Sequence, residues 1–573
     1  MLNEENKIFK DCCNTCRTLL LQNKNKDDKW SSSISVIEDD AIESSAKSAS
    51  SETNCRVCRG LCLSSRISKE LENSIRSSLI PYGLCMHEQS QDRVVMMEAP
   101  SITLPGEIAL RAYLMLLDIS TIKRNENITS NSEETDDSSY ESKVEWFLYQ
   151  LKALVKSRVR KYLTQSYNII FRDEEGAMNI HIVLRCYLKN TFPSSLLKNR
   201  DDALKKNRKR FRGHTNLVGH GGDPRANLES RIRSNKSVDG YVELPSYKIV
   251  LQSLVALFDK SSSIQQKQPL LQWWSSSSHI ELSEICVSST AWRTAFYIAG
   301  RYTKSRRDVS QTPFYVKQEG MTKKLGFSSV EEQVCPVISN KCGGISSLNN
   351  SSEEKSRELF GFCKFHASGR EDIDVLMNAS KGRFTGRPFV CEVIDALRRP
   401  TLNDLLDATT QLNCIDKNEE VWTNGFYGRN VCGVGIDLLE FTDSSRFSGL
   451  QEETENKVKH YKCLCWSEIE LDQSIMRSLT RNEATTIRQT TPIRVLHRRS
   501  LEIRTREVLK MKAEEITIND DDKRWFVLYC STSAGTYVKE FVHGDMGRTN
   551  PSISGIIGGK VDIVQLDCIG IEA

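Results

Sequence analysis

The sequence predicts an α+β protein whose C-terminal part is built on a mixed or antiparallel sheet. Three observations predict it. Four strand-like runs, "PFVCEVI" (388–394), "HYKCLCW" (460–466), "RWFVLYC" (524–530) and "KVDIVQLDCIGIE" (560–572), are spread over the C-terminal part. Helical patterns lie between them. Upstream, "EIALRAYLMLLDI" (107–119) and "VEWFLYQLKALVKSRVRKYL" (144–163) carry helical periodicity. No internal repeat is present.

The bulk numbers bound the reading. A chain of 573 residues has room for two to four domains. A hydrophobic fraction of 39% allows sizeable cores, and 27% charged residues nearly cancel to +4. A polyanionic partner must therefore be sought in local clusters of basic residues and not in net charge. Nineteen cysteines, an odd and scattered set, do not form a secreted disulfide framework. The start "MLNEENKIFKDCCNTC" is too polar for a signal peptide. No apolar run reaches the roughly 18 residues of a membrane span. The expectation is a soluble intracellular protein, with no membrane partner.

Along the chain, Cys13 and Cys16 form one CxxC, and Cys55 and Cys58 a second. Four thiolates are the ligand set of a closed structural zinc site. Cys12 and Cys62 stand close by, and unpaired buried cysteines are the plain alternative. The Ser- and acid-rich segment 31–53 has too little apolar content to fold alone, and 125–143 reads the same way. "NIHIVLRCYL" (179–188) and "YKIVLQSLVALF" (247–258) read as buried strand or mixed segments. A further break covers 340–359.

Three basic segments, "KKNRKRFRGH" (205–214), "RYTKSRRD" (301–308) and "RVLHRRSLEIRTR" (494–506), are interleaved with Tyr, Phe or His. Such runs suit a phosphate backbone with stacked bases. The 205–212 run also reads as a nuclear localisation signal or as plain disorder.

"FHASGREDIDVLM" (365–377) places Gly369, Arg370, Glu371, Asp372 and Asp374 directly after an apolar stretch. Glycine permits a sharp reversal, so Asp372 is expected on a loop at a sheet's edge, where reactive groups are displayed. It is either a displayed carboxylate or one member of a salt-bridged turn.

"HASGREDIDV" with "GRPFVCEV" resembles the catalytic motif of pseudouridine synthases. It most closely resembles the archaeal and eukaryotic tRNA synthases acting on position 54 and, in archaea, 55 of the TΨC arm. "GRYTKSRRDVSQTPF" (300–314), "KHYKCLCW" (459–466), "QTTPIRVLHRR" (489–499) and "SAGTYVKEFVHGDMGRTNPSI" (533–553) agree with that family. So do the two CxxC pairs. The resemblance covers most of 300–573 and the N-terminus.

The resemblance implies three domains: a zinc-binding segment with a Ser-rich insertion (1–85), a THUMP-like RNA-binding α/β domain (86–290) and a pseudouridine synthase catalytic domain (291–573). It implies Asp372 as the essential carboxylate and Lys539 as its basic partner. Tyr461 stacks on the uracil and handles the C5 proton, and Tyr537 lines the pocket. Arg370 holds the flipped nucleotide's place in the helix or binds its phosphate. Cys13, Cys16, Cys55 and Cys58 hold a structural Zn2+, and no organic cofactor is implied. The implied partner is tRNA, with other structured RNA as an extension, and the chain is a monomer in nucleus or cytoplasm. Two departures stand out. Leu376 occupies a position where the family has arginine, with Lys381 and Arg383 nearby on a longer loop, and Phe314 replaces the usual tryptophan.

The rival reading is an RNA-binding adaptor without catalysis, for example in primary microRNA processing. Joint retention of Asp372, Tyr461 and Lys539 favours the enzyme. A structural zinc protein without RNA function leaves the three basic segments unexplained.

Overall fold

The computed structural model describes residues 12–21, 55–58, 61, 67–84, 95–126, 138–189, 240–244, 246–259, 262–276, 283–318, 321–344, 360–378, 384–413, 433–450, 457–496, 499–516 and 522–572. The Ser-rich segment 31–53, the basic run 205–214, Cys62, Lys381, Arg383 and most of 340–359 lie outside them. The chain divides into two compact units, Met1–Thr294 and Ala295–Ala573.

The first unit opens with helix α1 (Asn14–Leu21), directly after the first CxxC begins. Helix α2 (Lys69–Leu79) starts where the Ser68 hydroxyl accepts from the Leu71 N–H. That cap satisfies a backbone donor the helix cannot. Leu71, Ile75 and Leu79 then bury one face at helical spacing. Strands β1 (Val95–Met97) and β2 (Ser101–Thr103) precede the long helices α3 (Gly106–Glu126) and α4 (Ser138–Tyr167). Helix α4 reaches into the segment 125–143 that the sequence reads as insertion, and Tyr140 there is buried. Strands β3 (Ile169–Phe171), β4 (Met178–Lys189) and β5 (Tyr241–Glu243), helices α5 (Tyr247–Phe258) and α6 (Ile264–Ser275) and strand β6 (Ser283–Arg293) follow. Strand β4 pairs parallel to β1 and β2 and antiparallel to β5 and β6, so the sheet is mixed.

The segment 247–258 departs from expectation, being helix α5 and not a strand. Val250, Leu251 and Leu254 are its buried residues, a one-sided stripe of period 3.6 that a dense apolar run conceals.

The second unit is organised by a thirteen-stranded sheet among the described residues. Its longer strands are β7 (Phe296–Lys304), β8 (Phe362–Ala367), β9 (Arg387–Ile394), β10 (Lys459–Ser467), β11 (Thr485–Thr490), β12 (Ile503–Glu515), β13 (Trp525–Thr532) and β14 (Val561–Glu572). They lie in the order β8-β9-β7, then β14-β10-β13-β12-β11. The two-residue strand Leu376–Met377 joins the halves, pairing antiparallel to β7 and parallel to β14. The long pairings within each half are antiparallel.

Each half has its own core. Helices α7 (Val330–Lys341) and α8 (Leu402–Leu412) bury Val334, Ile338, Leu405 and Leu412 with Phe365, Phe389 and Val393 of the sheet. In the other half, Cys463, Ile487, Phe526 and Leu528 pack with Phe541 of helix α9 (Val538–His543). The acidic turn 368–375 falls where the halves meet. Among the described residues, no helix is long and apolar enough to cross a membrane.

Candidate active site

Strand β8 ends at Ala367, and Gly369 takes a φ of +73°. A side chain is strained in that left-handed conformation, so glycine makes the reversal possible. The turn after it is held from beneath by buried polar groups. The Arg387 guanidinium lies 2.8 Å from Glu371 and donates to the Ser368 carbonyl at 2.7 Å. The Tyr302 hydroxyl donates to Glu371 at 2.7 Å, and the Gln311 amide donates to the Gly369 carbonyl at 2.9 Å. Lys304, wholly buried, donates to the carbonyls of Val309, Asp372 and Ile373. Burial pulls its ammonium down to about 8. These groups turn a polar loop into a rigid shelf, because a buried charge is stable only when paired and hydrogen-bonded.

Asp372 stands on that shelf, at the wall of a cavity of about 390 Å3. Small-molecule pockets run roughly 300–1,000 Å3. Arg370, Asp372, Tyr461, Tyr537 and Lys539, drawn from three separate stretches of sequence, all line it. Six of the lining residues are cationic (Arg370, Arg387, Lys459, Arg494, Arg499 and Lys539), against two carboxylates, Glu371 and Asp372. This surplus suits an anionic ligand.

The cation closest to Asp372 differs from the one the sequence suggests. Arg494 donates from Nη1 to Asp372 Oδ2 at 2.8 Å. Lys539 Nζ is 3.5 Å from Asp372 and 2.7 Å from Asp374 Oδ2. Burial works against ionised Asp374, but the Lys539 hydrogen bond and charge outweigh it and hold its carboxyl below the usual range. Arg494 also donates from Nε to Glu540 at 2.6 Å, and Glu540 is buried. Burial opposes the charged guanidinium, and Glu540 with Asp372 more than compensates, raising its pKa. Arg494 lies within "QTTPIRVLHRR", but its two carboxylates come from elsewhere in the chain.

The same stretch positions Tyr537. Gln489, at the end of β11, donates to the Tyr537 carbonyl and accepts from its N–H, both at 2.9 Å. Tyr537 is the N-cap residue of α9, so this clamp fixes where the helix begins. Lys539 and Glu540 then leave its first turn for different partners.

Tyr461 sits on β10 where the pairing with β14 slips by one residue, between His460 and Tyr461. Such a bulge re-aims a side chain. Burial pushes the Tyr461 hydroxyl well above its ordinary pKa, so it is protonated at neutral pH. The Arg370 guanidinium is exposed and lies 5.9 Å from the centre of the Phe314 ring. Phe314 thus keeps an aromatic face under a cation despite lacking an indole. Leu376 pairs with Asp567 in the joining strand, a backbone role that any side chain permits.

The basic run 301–308 turns inward. Lys304 is buried, Arg307 donates to the Asp374 and Leu566 carbonyls, and Arg306 pairs with Asp308. Its charges largely support the shelf.

In the first unit the sulfurs of Cys13, Cys16, Cys55 and Cys58 all lie within 4.8 Å of one another. The Cys13 N–H points to Cys55 Sγ at 3.3 Å, and the Cys16 N–H to Cys13 Sγ at 3.4 Å. This donor set fits a thiophilic metal ion. Arg56, between the second pair, stacks on Trp274 at 3.9 Å and donates to its carbonyl at 2.7 Å. Arg158 of α4 donates to the Leu61 carbonyl at 3.0 Å.

The family model described as "Pus10, C-terminal" matches residues 297–572. The tRNA pseudouridine synthase Pus10 of Xenopus laevis is 32% identical over 277 residues, covering 48% of this chain and 45% of that protein. The protein of the same name from Archaeoglobus fulgidus is 31% identical over 288 residues, covering 48% of this chain and 67% of that protein. Among solved structures, a Cbf5-Nop10-Gar1 complex is similar at 16% identity and a TM-score of 0.19, over 36% of this chain and 39% of that one. The chain spans about half the length of relatives such as the Xenopus protein.

Proposed function

The chain belongs to the Pus10 family, and from that premise we propose that it is a tRNA pseudouridine synthase acting in the TΨC arm, at position 54 with 55 as the second candidate. The observation that carries this reading is Asp372, a carboxylate on the cavity wall with Arg494 at 2.8 Å and Lys539 at 3.5 Å. Either attack on C1′ or removal of the 2′ proton calls for a carboxylate beside the sugar, and the two cations hold Asp372 in place at the cavity wall.

A stacked uridine is out of reach until it is flipped out of the helix. Tyr461 and Tyr537 line the cavity, and an aromatic ring there offsets part of the lost stacking. The C1′–N1 bond then breaks, the uracil turns, and C5 bonds to C1′. C5 gives up its proton and N1 gains one, so no electrons are exchanged and no organic cofactor is required. Because the Tyr461 hydroxyl is protonated, it takes the C5 proton only by handing its own on. Arg370, exposed at the rim, fills the flipped nucleotide's place or binds its phosphate.

Outside the cavity, we assign Cys13, Cys16, Cys55 and Cys58 to a structural zinc ion, which leaves no open ligand position. Residues 86–290, whose described part contains a mixed sheet flanked by long helices, would serve as the THUMP-like tRNA-gripping domain.

The test compares wild type with Asp372→Asn on an unmodified tRNA transcript, with pseudouridine mapped at base resolution. Product in the TΨC arm from wild type alone is the expected result. No product from a folded, tRNA-binding wild type would overturn the reading and favour an adaptor that binds RNA without reacting.

A further inference from the structure

A second group of cysteines converges in the C-terminal unit, beneath the half-sheet that leads into the acidic turn. Cys335 stands on α7, Cys363 on β8 and Cys391 on β9, and their sulfurs lie within 4.8 Å of one another. They are 9%, 5% and 0% exposed, and each is a free thiol.

Their meeting is a product of register. In the antiparallel pair β8–β9, Cys363 is opposite Val393 and Phe365 is opposite Cys391. Cys363 and Phe365 therefore share a face with Cys391 and Val393, since side chains alternate along a strand. That is the face on which α7 buries Val334, Cys335 and Ile338.

One buried thiol is an ordinary small apolar side chain. Three from three elements, with sulfurs this close, form a different object. Sulfurs around one tetrahedral zinc ion stand about 3.8 Å apart, at Zn–S distances of about 2.3 Å. Sulfurs within 4.8 Å reach that spacing by rotamer adjustment of an ångström or less. The sulfur group itself holds three donors. Glu331 lies one helical turn before Cys335 on α7, in the i, i+4 relation that shares a face. Its carboxylate lies outside the group of three sulfurs and would have to turn toward them to complete four-coordination.

We propose that Cys335, Cys363 and Cys391 form the thiolate core of a second structural zinc site inside the C-terminal unit, with the nearby Glu331 as the candidate for the fourth position. The ion would pin α7 to β8 and β9. Strand β8 runs directly into Ser368–Asp374, so the site would brace the shelf that carries Asp372. The three cysteines lie in the core between α7, β8 and β9, a position that suits a structural role.

Zinc per chain, measured on full-length protein produced with zinc, decides the matter. The variants are Cys13→Ser/Cys55→Ser, which dismantles the N-terminal set, and Cys363→Val and Cys391→Val, which keep the core volume nearly constant. Wild type should hold two ions per chain, one for each sulfur group. The serine double variant should keep one, and each valine variant should lose one. Cobalt loaded into the serine double variant should give a thiolate-to-metal charge-transfer band that Cys363→Val abolishes. A serine double variant that holds no metal, or a wild-type count unchanged by Cys363→Val and Cys391→Val, overturns the proposal. If a variant does not fold, the wild-type count still decides, two ions supporting the site and one overturning it.

Discussion

Arg494 bridges Asp372 and Glu540: its Nη1 is 2.8 Å from one carboxylate and its Nε is 2.6 Å from the other. The two acids have different surroundings. Glu540 is 1% exposed, whereas the Asp372 side chain is 30% exposed on the cavity wall. A planar guanidinium with donors on two edges can serve both at once, which an ammonium cannot do in the same geometry. One side of Arg494 is therefore structural, and the other faces the cavity.

Replacing Arg494 by Met should cost both stability and activity. Glu540 would be left buried without its cation, at about 1–3 kcal/mol, the lower end being expected because Arg494 is 38% exposed. In Arg494→Met/Glu540→Met most of that stability should return, since both partners are gone, while pseudouridine formation stays low. Urea unfolding and product mapping on the same samples check this. A double variant with wild-type product yield would reduce Arg494 to a purely structural residue.

The shelf under Asp372 should be sensitive to Arg387. Arg387 and Glu371 are 4% and 3% exposed, and breaking a pair so deeply buried costs roughly 3–5 kcal/mol. Tyr302→Phe removes one hydrogen bond from the same ion-paired carboxylate and should cost less, about 1.5–3 kcal/mol. Chemical denaturation of the two variants should rank them in that order. Equal losses would mean that the pair does not carry the turn.

Lys304 leads to a pH prediction. Burial depresses its pKa from 10.5 to about 8 in the folded chain. Below about 8 both folded and unfolded chains carry the proton, and the burial penalty is fully present. Between about 8 and 10.5 the unfolded chain binds more protons, so stability rises with pH. Lys459, also lowered to about 8 by burial, acts in the same direction. Stability measured across that window should therefore rise more steeply in wild type than in Lys304→Met, by up to about 3 kcal/mol at the upper end. Parallel curves would show that Lys304 does not titrate there.

Tyr461→Phe keeps the ring and removes the hydroxyl. If that hydroxyl passes the C5 proton, product formation should fall by roughly 10²–10⁴-fold, with tRNA binding unchanged. Single-turnover kinetics beside a binding titration separate the two effects. A near wild-type rate would leave Tyr461 with stacking alone.

Much of the site was legible because its signals are local. An apolar strand that stops at a glycine and is followed by acids specifies a turn at a sheet edge, and Gly369 does take the left-handed conformation. Two CxxC pairs each bring two sulfurs together within a single turn of chain. Tyr461, Tyr537, Lys539 and Arg370 stood out through the stretches that contain them, and all four line the cavity with Asp372. Segment 247–258 was misleading because apolar residues on nearly every side of a short helix imitate a buried strand.

By itself, the sequence determined the α+β character, the long strands of the second unit and the turn that displays Asp372. These depend on periodicity, glycine freedom and the chemistry of neighbouring residues. Only the tertiary structure decided which charges meet. Arg494 and Asp372 are 122 residues apart, Lys539 turns mainly to Asp374, and Lys304 is buried among carbonyls instead of facing an RNA. Charge acts through space, and the separations that set its strength arise only where the two halves of the sheet join.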